Sequence, residues 1–68
     1  MTFIKSLAKY DDGKILVEAD ECTEKYESVP HYEVYVFRHS DGMVMEVVKC
    51  AKTTWRKAFK RAVQECGR

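Results

Sequence analysis

Thr53–Cys66, TTWRKAFKRAVQEC, is the stretch that decides the fold. At about 100° per residue, Trp55, Ala58, Phe59, Ala62, Val63 and Cys66 fall on one side. That is the stripe of an amphipathic helix packed on a core. Arg56, Lys57, Lys60, Arg61 and Gln64 fall on the other side. Thr53 or Thr54 offers a hydroxyl to the first unpaired N–H groups, and Gly67 can take the left-handed conformation that ends a helix. The spacing therefore predicts one C-terminal helix, with Trp55 and Phe59 as its deepest anchors.

Immediately upstream, Tyr32–Phe37 (YEVYVF) is β-branched and aromatic apart from one glutamate, and Met43–Cys50 is mostly apolar. Asp41-Gly42 between them suits a two-residue type I′ turn. That turn would set Val36 opposite Val47 and Tyr35 opposite Val48. One face would then carry Val34, Val36, Met45 and Val47, the surface expected to receive Trp55 and Phe59. The other would carry Glu33, Tyr35, Phe37, Val44, Glu46 and Val48, a mixed face unusually aromatic for one turned to water.

Further upstream, Lys14–Cys22 opens with Ile15-Leu16-Val17 and reads as a strand. Asp11-Asp12-Gly13 before it is a turn signal. Thr2–Tyr10 is ambiguous: Ile4, Ser6, Ala8 and Tyr10 alternate as in a strand, while Ile4, Leu7 and Ala8 would mark a short helix. The strand is preferred because an Asp-Gly turn joins extended segments. Thr23–Pro30 is a polar, acidic loop ending in the only proline, which biases Val29 to extended backbone. The fold class is α+β. An antiparallel sheet of three or four strands carries one helix on a face, in the order ββββα, or αβββα if residues 3–10 are helical.

At 68 residues the chain is one domain. A domain this size buries only about 60% of the surface its unfolded chain exposes, so good packing or self-association is expected to matter. The apolar and aromatic content is that of a folded chain. No apolar run approaches the roughly 20 residues that span a bilayer, and the N-terminus lacks the apolar core of a signal peptide. The three cysteines, Cys22, Cys50 and Cys66, read as free thiols of a cytoplasmic protein.

Charge is divided along the chain. From Lys49 onward seven basic residues face one acid, Glu65; before Lys49 five basic residues face ten acids. A net charge of +1 therefore hides strong local potential of both signs. Catalytic and metal motifs are not found. Cys22, His31, His39 and Cys50 fit no zinc-finger or ribbon spacing. Cys50, expected opposite Glu33, has no histidine to activate it. The acids of Glu18–Glu27 lack calcium-loop spacing, and there is no glycine-rich phosphate loop. The expectation is a non-enzymatic protein without metal or cofactor.

Two resemblances bear on what it binds. A helical N-terminus would give the element order of double-stranded-RNA-binding domains. Tyr32-Glu33-Val34 through Lys57-Ala58 and Ala62 is similar to the end of that family, although Thr54-Trp55-Arg56-Lys57 stands where the family opens its last helix with consecutive lysines. This likeness implies phosphate contacts from Arg56, Lys57, Lys60 and Arg61. In size and layout the chain also resembles small phage-encoded inhibitors of host defence, anti-CRISPR proteins among them, with Tyr32-Glu33-Val34, Asp41-Gly42, Ala58 and Ala62 similarly placed. That likeness implies stoichiometric binding to a host protein. The acids Asp20, Glu21, Glu24 and Glu27 would act on a nucleic-acid-binding partner, or Tyr35, Phe37, Val44 and Val48 would form a docking face. Protein binding is the preferred expectation, with a homodimer as one form of it and nucleic-acid binding as the alternative.

Overall fold

The computed structural model describes residues 2–26 and 28–66. Four strands, β1 (Thr2–Asp11), β2 (Ile15–Glu24), β3 (His31–Arg38) and β4 (Met43–Cys50), precede one helix, α1 (Trp55–Cys66). The strands form one antiparallel meander in the order β1-β2-β3-β4. The ambiguous N-terminal segment is thus a strand, and the order is ββββα. The helical alternative on which the double-stranded-RNA-binding likeness depended does not occur.

Helix α1 lies across β2 and β3, touches β4 less and β1 least. Its expected stripe faces the sheet, but only halfway. Trp55, Ala58, Phe59, Ala62, Val63 and Cys66 pack against the core while remaining partly exposed. The fully buried apolar residues are Val17 and Ala19 on β2 and Val34 and Val36 on β3. The expectation of Trp55 and Phe59 as the deepest anchors is corrected here. A single helix on a sheet leaves its own flanks open to water, whereas the central strands have neighbours on both sides. The Cα trace measures 37 × 24 × 15 Å. Its short dimension fits one sheet and one helix, so the sheet's other face has no second layer.

The β3–β4 turn is longer than expected, and this changes the sheet. Arg38 pairs with Met43, so His39–Gly42 form a four-residue loop closed by Gly42 N–H to Arg38 O at 3.0 Å. Gly42 has φ 69°, the left-handed backbone that favours glycine. Asp41 accepts the Met43 N–H at 3.1 Å and ion-pairs with Arg38. The register then slips between Val36 and Phe37, leaving Met45 as the extra residue on β4. Beyond that irregularity Val36 faces Glu46, Tyr35 faces Val47 and Val34 faces Val48. A one-residue slip exchanges the two faces of a strand. Glu46, Val48 and Cys50 therefore lie on the helix side, and Val47 and Lys49 on the open side. Val47, expected under the helix, is 53% exposed. Cys50 pairs with Tyr32, and Lys49 takes the place opposite Glu33.

The other hairpin uses side-chain turns. Asp11 accepts the Gly13 N–H at 2.9 Å, and Asp12 accepts those of Lys14 and Ile15, both at 2.8 Å. His39 reaches Asp11 at 2.9 Å and ties the two hairpin loops together. At the helix start, Thr54 Oγ1 accepts the Ala51 N–H at 2.9 Å. The threonine thus fixes the turn entering α1.

Candidate functional site

Two surfaces follow from this layout. The first is the edge formed by β4. Five of its residues, Met43, Val44, Met45, Val47 and Val48, are 40–58% exposed. The outer side of β4 has no partner strand among the described residues. Because α1 sits over β2 and β3, a groove of about 540 Å³ opens between the helix and β4. Val34, Val36 and Val48 form its floor, and Glu46, Lys57, Arg61 and Glu65 are charged groups along it. Arg61 pairs with Glu65 at 3.4 Å. The groove thus combines an apolar floor with charged groups of both signs along its rim.

The second surface is the open face of the sheet. Alternation puts Leu16, Glu18, Asp20 and Cys22 of β2 beside Phe37, Tyr35, Glu33 and His31 of β3. Glu18 and Asp20 are 8% and 6% exposed, although no layer covers them. Neighbouring side chains do the covering. Tyr35 Oη donates to Glu18, Lys9 Nζ lies 3.2 Å from Glu18, and Ser6 Oγ donates to it at 3.4 Å. Burial pushes the Glu18 carboxyl up, but hydrogen bonds from Tyr35, Asp20 and Lys9 outweigh it and hold the group below its ordinary value. Asp20 goes the other way. Burial and the adjacent Glu18 and Glu33 carboxylates raise it from 3.8 to about 6. Within the pair Glu18 is the ion and Asp20 the group that keeps its proton longer. Burial likewise raises the Tyr35 hydroxyl and the Cys22 thiol. Asp20 Oδ1 is buried without a hydrogen-bond partner.

The expected partner-binding residues do not form one patch. Asp20 is buried. Glu21 points to the helix side and accepts the Tyr32 hydroxyl at 2.9 Å. Glu24 is half-buried at the end of β2, and Glu27 lies outside the described residues. Tyr35 and Phe37 are half-buried on the open face, Phe37 edge-on to His39 with ring centres 5.4 Å apart. Val44 lies beside Phe37, while Val48 is on the opposite face in the groove. Arg56, Lys57, Lys60 and Arg61 are all exposed on α1; Lys57 and Arg61 border the groove, and Arg56 lies 4.8 Å over the Trp55 ring. Sequence reading missed the groove, because its existence depends on where the helix sits across the sheet. It also missed the meeting of Cys22, His31 and Glu33, whose donor atoms lie within 4.8 Å of one another. Zinc-motif spacing looks along the chain, whereas these residues meet through strand pairing.

No helix among the described residues is long and apolar enough to cross a membrane. No protein family, curated protein or solved structure matches this chain. Fold and surface chemistry define the class: a ββββα domain with one uncovered sheet face and one apolar edge.

Proposed function

We propose that the protein is a binding module that receives an extended segment of a partner protein along β4. The observation that carries this reading is the exposure of five large apolar residues on one edge strand. Such edges are normally blunted by charge, proline or cover. Here the strand carries two charges, Glu46 and Lys49, and a bulge at Met45, yet five large apolar residues stay exposed beside them. A partner strand added to β4 would gain main-chain hydrogen bonds, and its alternate side chains would enter the groove beside α1. Lys57, Arg61, Glu46 and Glu65 would then select charges on that segment. The resemblance in size and layout to small phage-encoded inhibitors, read from the sequence, would accord with such stoichiometric binding and singles out no target.

Nucleic-acid binding is the second reading, favoured by one observation. Arg56, Lys57, Lys60 and Arg61 project from α1 on the side away from Glu18, Asp20, Glu24 and Glu33. The acids of the open face therefore do not stand between the helix and a duplex.

One experiment separates the readings. The tagged protein is used for pull-down from lysate of its source, with and without nuclease, beside Val47→Lys and Lys57→Glu/Lys60→Glu variants. A charge placed in an apolar contact costs more than about 1.4 kcal/mol, so Val47→Lys should weaken partner capture by about tenfold or more. Capture should survive nuclease. Loss on nuclease treatment, accompanied by loss in the lysine-reversal variant, would instead establish the helix as a nucleic-acid contact. Light scattering of the pure protein should show a monomer across concentrations. A dimer abolished by Val47→Lys would make the partner a second copy of the chain.

A further inference from the structure

The open face of the sheet holds a cluster that partner binding at β4 does not use. Cys22 and His31 are a cross-strand pair, and Asp20 and Glu33 form the next pair along the same two strands. Residues two apart on a strand share a face, so all four side chains leave the sheet on one side. The Cys22 Sγ, a His31 ring nitrogen and a Glu33 carboxylate oxygen already lie within 4.8 Å of one another. Donors around a tetrahedral zinc ion, at about 2.0–2.3 Å from the metal, stand roughly 3.3–3.8 Å apart. For these three donors the difference is at most about 1.5 Å, a distance that side-chain torsions can span. The fourth member supplies an independent observation. Asp20 is 6% exposed, and its Oδ1 has no hydrogen-bond partner. A buried polar atom left unpaired is costly and rare; here it belongs to a carboxyl group next to the Glu33 carboxylate and the Cys22 thiol.

We propose that Cys22, His31, Glu33 and Asp20 form a binding site for a single zinc-like divalent transition-metal ion at the loop end of the β2–β3 hairpin. The donor set of one sulfur, one nitrogen and two oxygens suits zinc or cobalt and is too soft for magnesium or calcium. The pairing of His31 with Glu33, 3.5 Å apart, would give way to shared coordination. Binding replaces the Cys22 thiol proton with the metal and releases that proton to solvent. Lys9, beside Glu18, and Lys49, opposite Glu33, flank the site without entering the donor set. The ion would clip the two strands where the 25–30 connection leaves them. The site stands apart from the β4 edge, so neither proposal depends on the other.

The test is titration of the purified, chelator-treated protein with Co²⁺ and then Zn²⁺ under reducing conditions. One cobalt per chain should bind with visible bands of tetrahedral intensity and a near-ultraviolet thiolate-to-cobalt band. Zinc should displace it and raise Tm. Cys22→Ser should abolish the thiolate band, while Cys50→Ser and Cys66→Ser retain it. His31→Ala, Glu33→Gln and Asp20→Asn should each weaken zinc by about tenfold or more, with circular dichroism confirming the fold of each variant. The proposal is overturned if wild-type protein gives no thiolate band, if the band persists in Cys22→Ser, or if it requires Cys50 or Cys66.

Discussion

Val17→Ala and Val34→Ala should each destabilise the protein by about 2–3 kcal/mol. Both valines are essentially without solvent exposure, at 0% and 1%, and lie between the helix and the two central strands. Each change removes two methyl groups, about 0.8 kcal/mol apiece in transfer, and leaves a cavity that a two-layer domain cannot easily collapse. At about 0.05–0.15 kcal/mol per residue, a chain of this length has only about 3–10 kcal/mol in total. Phe59→Ala removes a larger side chain that is only half-buried and should cost a similar amount. Urea unfolding of the three variants checks this order. A Phe59→Ala loss far above both valine losses would return the centre of the core to the helix.

Asp20→Asn should stabilise the metal-free protein at pH 7 and flatten its stability between about pH 4 and 6. Asp20 is buried next to Glu18 and Glu33, which raises its pKa from 3.8 to about 6. The sign follows from proton linkage. Well below pH 3.8 the carboxyl is protonated in folded and unfolded chains alike, and it carries no penalty. As pH rises toward 6 the unfolded chain ionises first, so this contribution to stability is lost, and above pH 6 the loss is complete. A move of that size is worth about 3 kcal/mol at full strength. Water over the uncovered face screens part of it, leaving about 1–2 kcal/mol. Asparagine retains an N–H donor toward Glu18, as the protonated acid does, without the charge. Glu18 contributes with the opposite sign. Its lowered pKa adds stability above the ordinary carboxylate range and is lost on acidification, so its effect remains in the variant. Denaturant melts across pH 4–8 would show the wild-type and Asp20→Asn curves diverging as pH rises. Parallel curves would refute the assignment. The same substitution should weaken zinc, so its effects on stability and on metal affinity run in opposite directions.

The division between sequence and tertiary structure is clearest in β4 and α1. The 3.6-residue stripe from Trp55 to Cys66 was enough to locate the helix and the side it turns inward, because amphipathic periodicity is local. The same holds for β2, β3 and β4, with their β-branched and aromatic runs, whereas residues 3–10 stayed open between strand and helix until pairing with β2 decided them. The depth of the helix was not local. It depends on how far one helix can cover a four-stranded sheet, and α1 covers β2 and β3 and leaves the β4 flank open.

The register of β4 was also beyond the sequence. Asp41-Gly42 is compatible with a two-residue or a four-residue connection. The longer loop, with Asp41 held by Arg38 and an extra residue at Met45, places Val48 rather than Val47 on the helix side. Residues of the candidate sites followed the same rule. The basic face of α1 was legible from spacing along one helix. The groove and the Asp20–Cys22–His31–Glu33 cluster join residues that only strand pairing brings together. Local pattern determined which elements form and which way each turns; packing between elements decided which side chains meet, because that depends on loop length and register summed over the whole sheet.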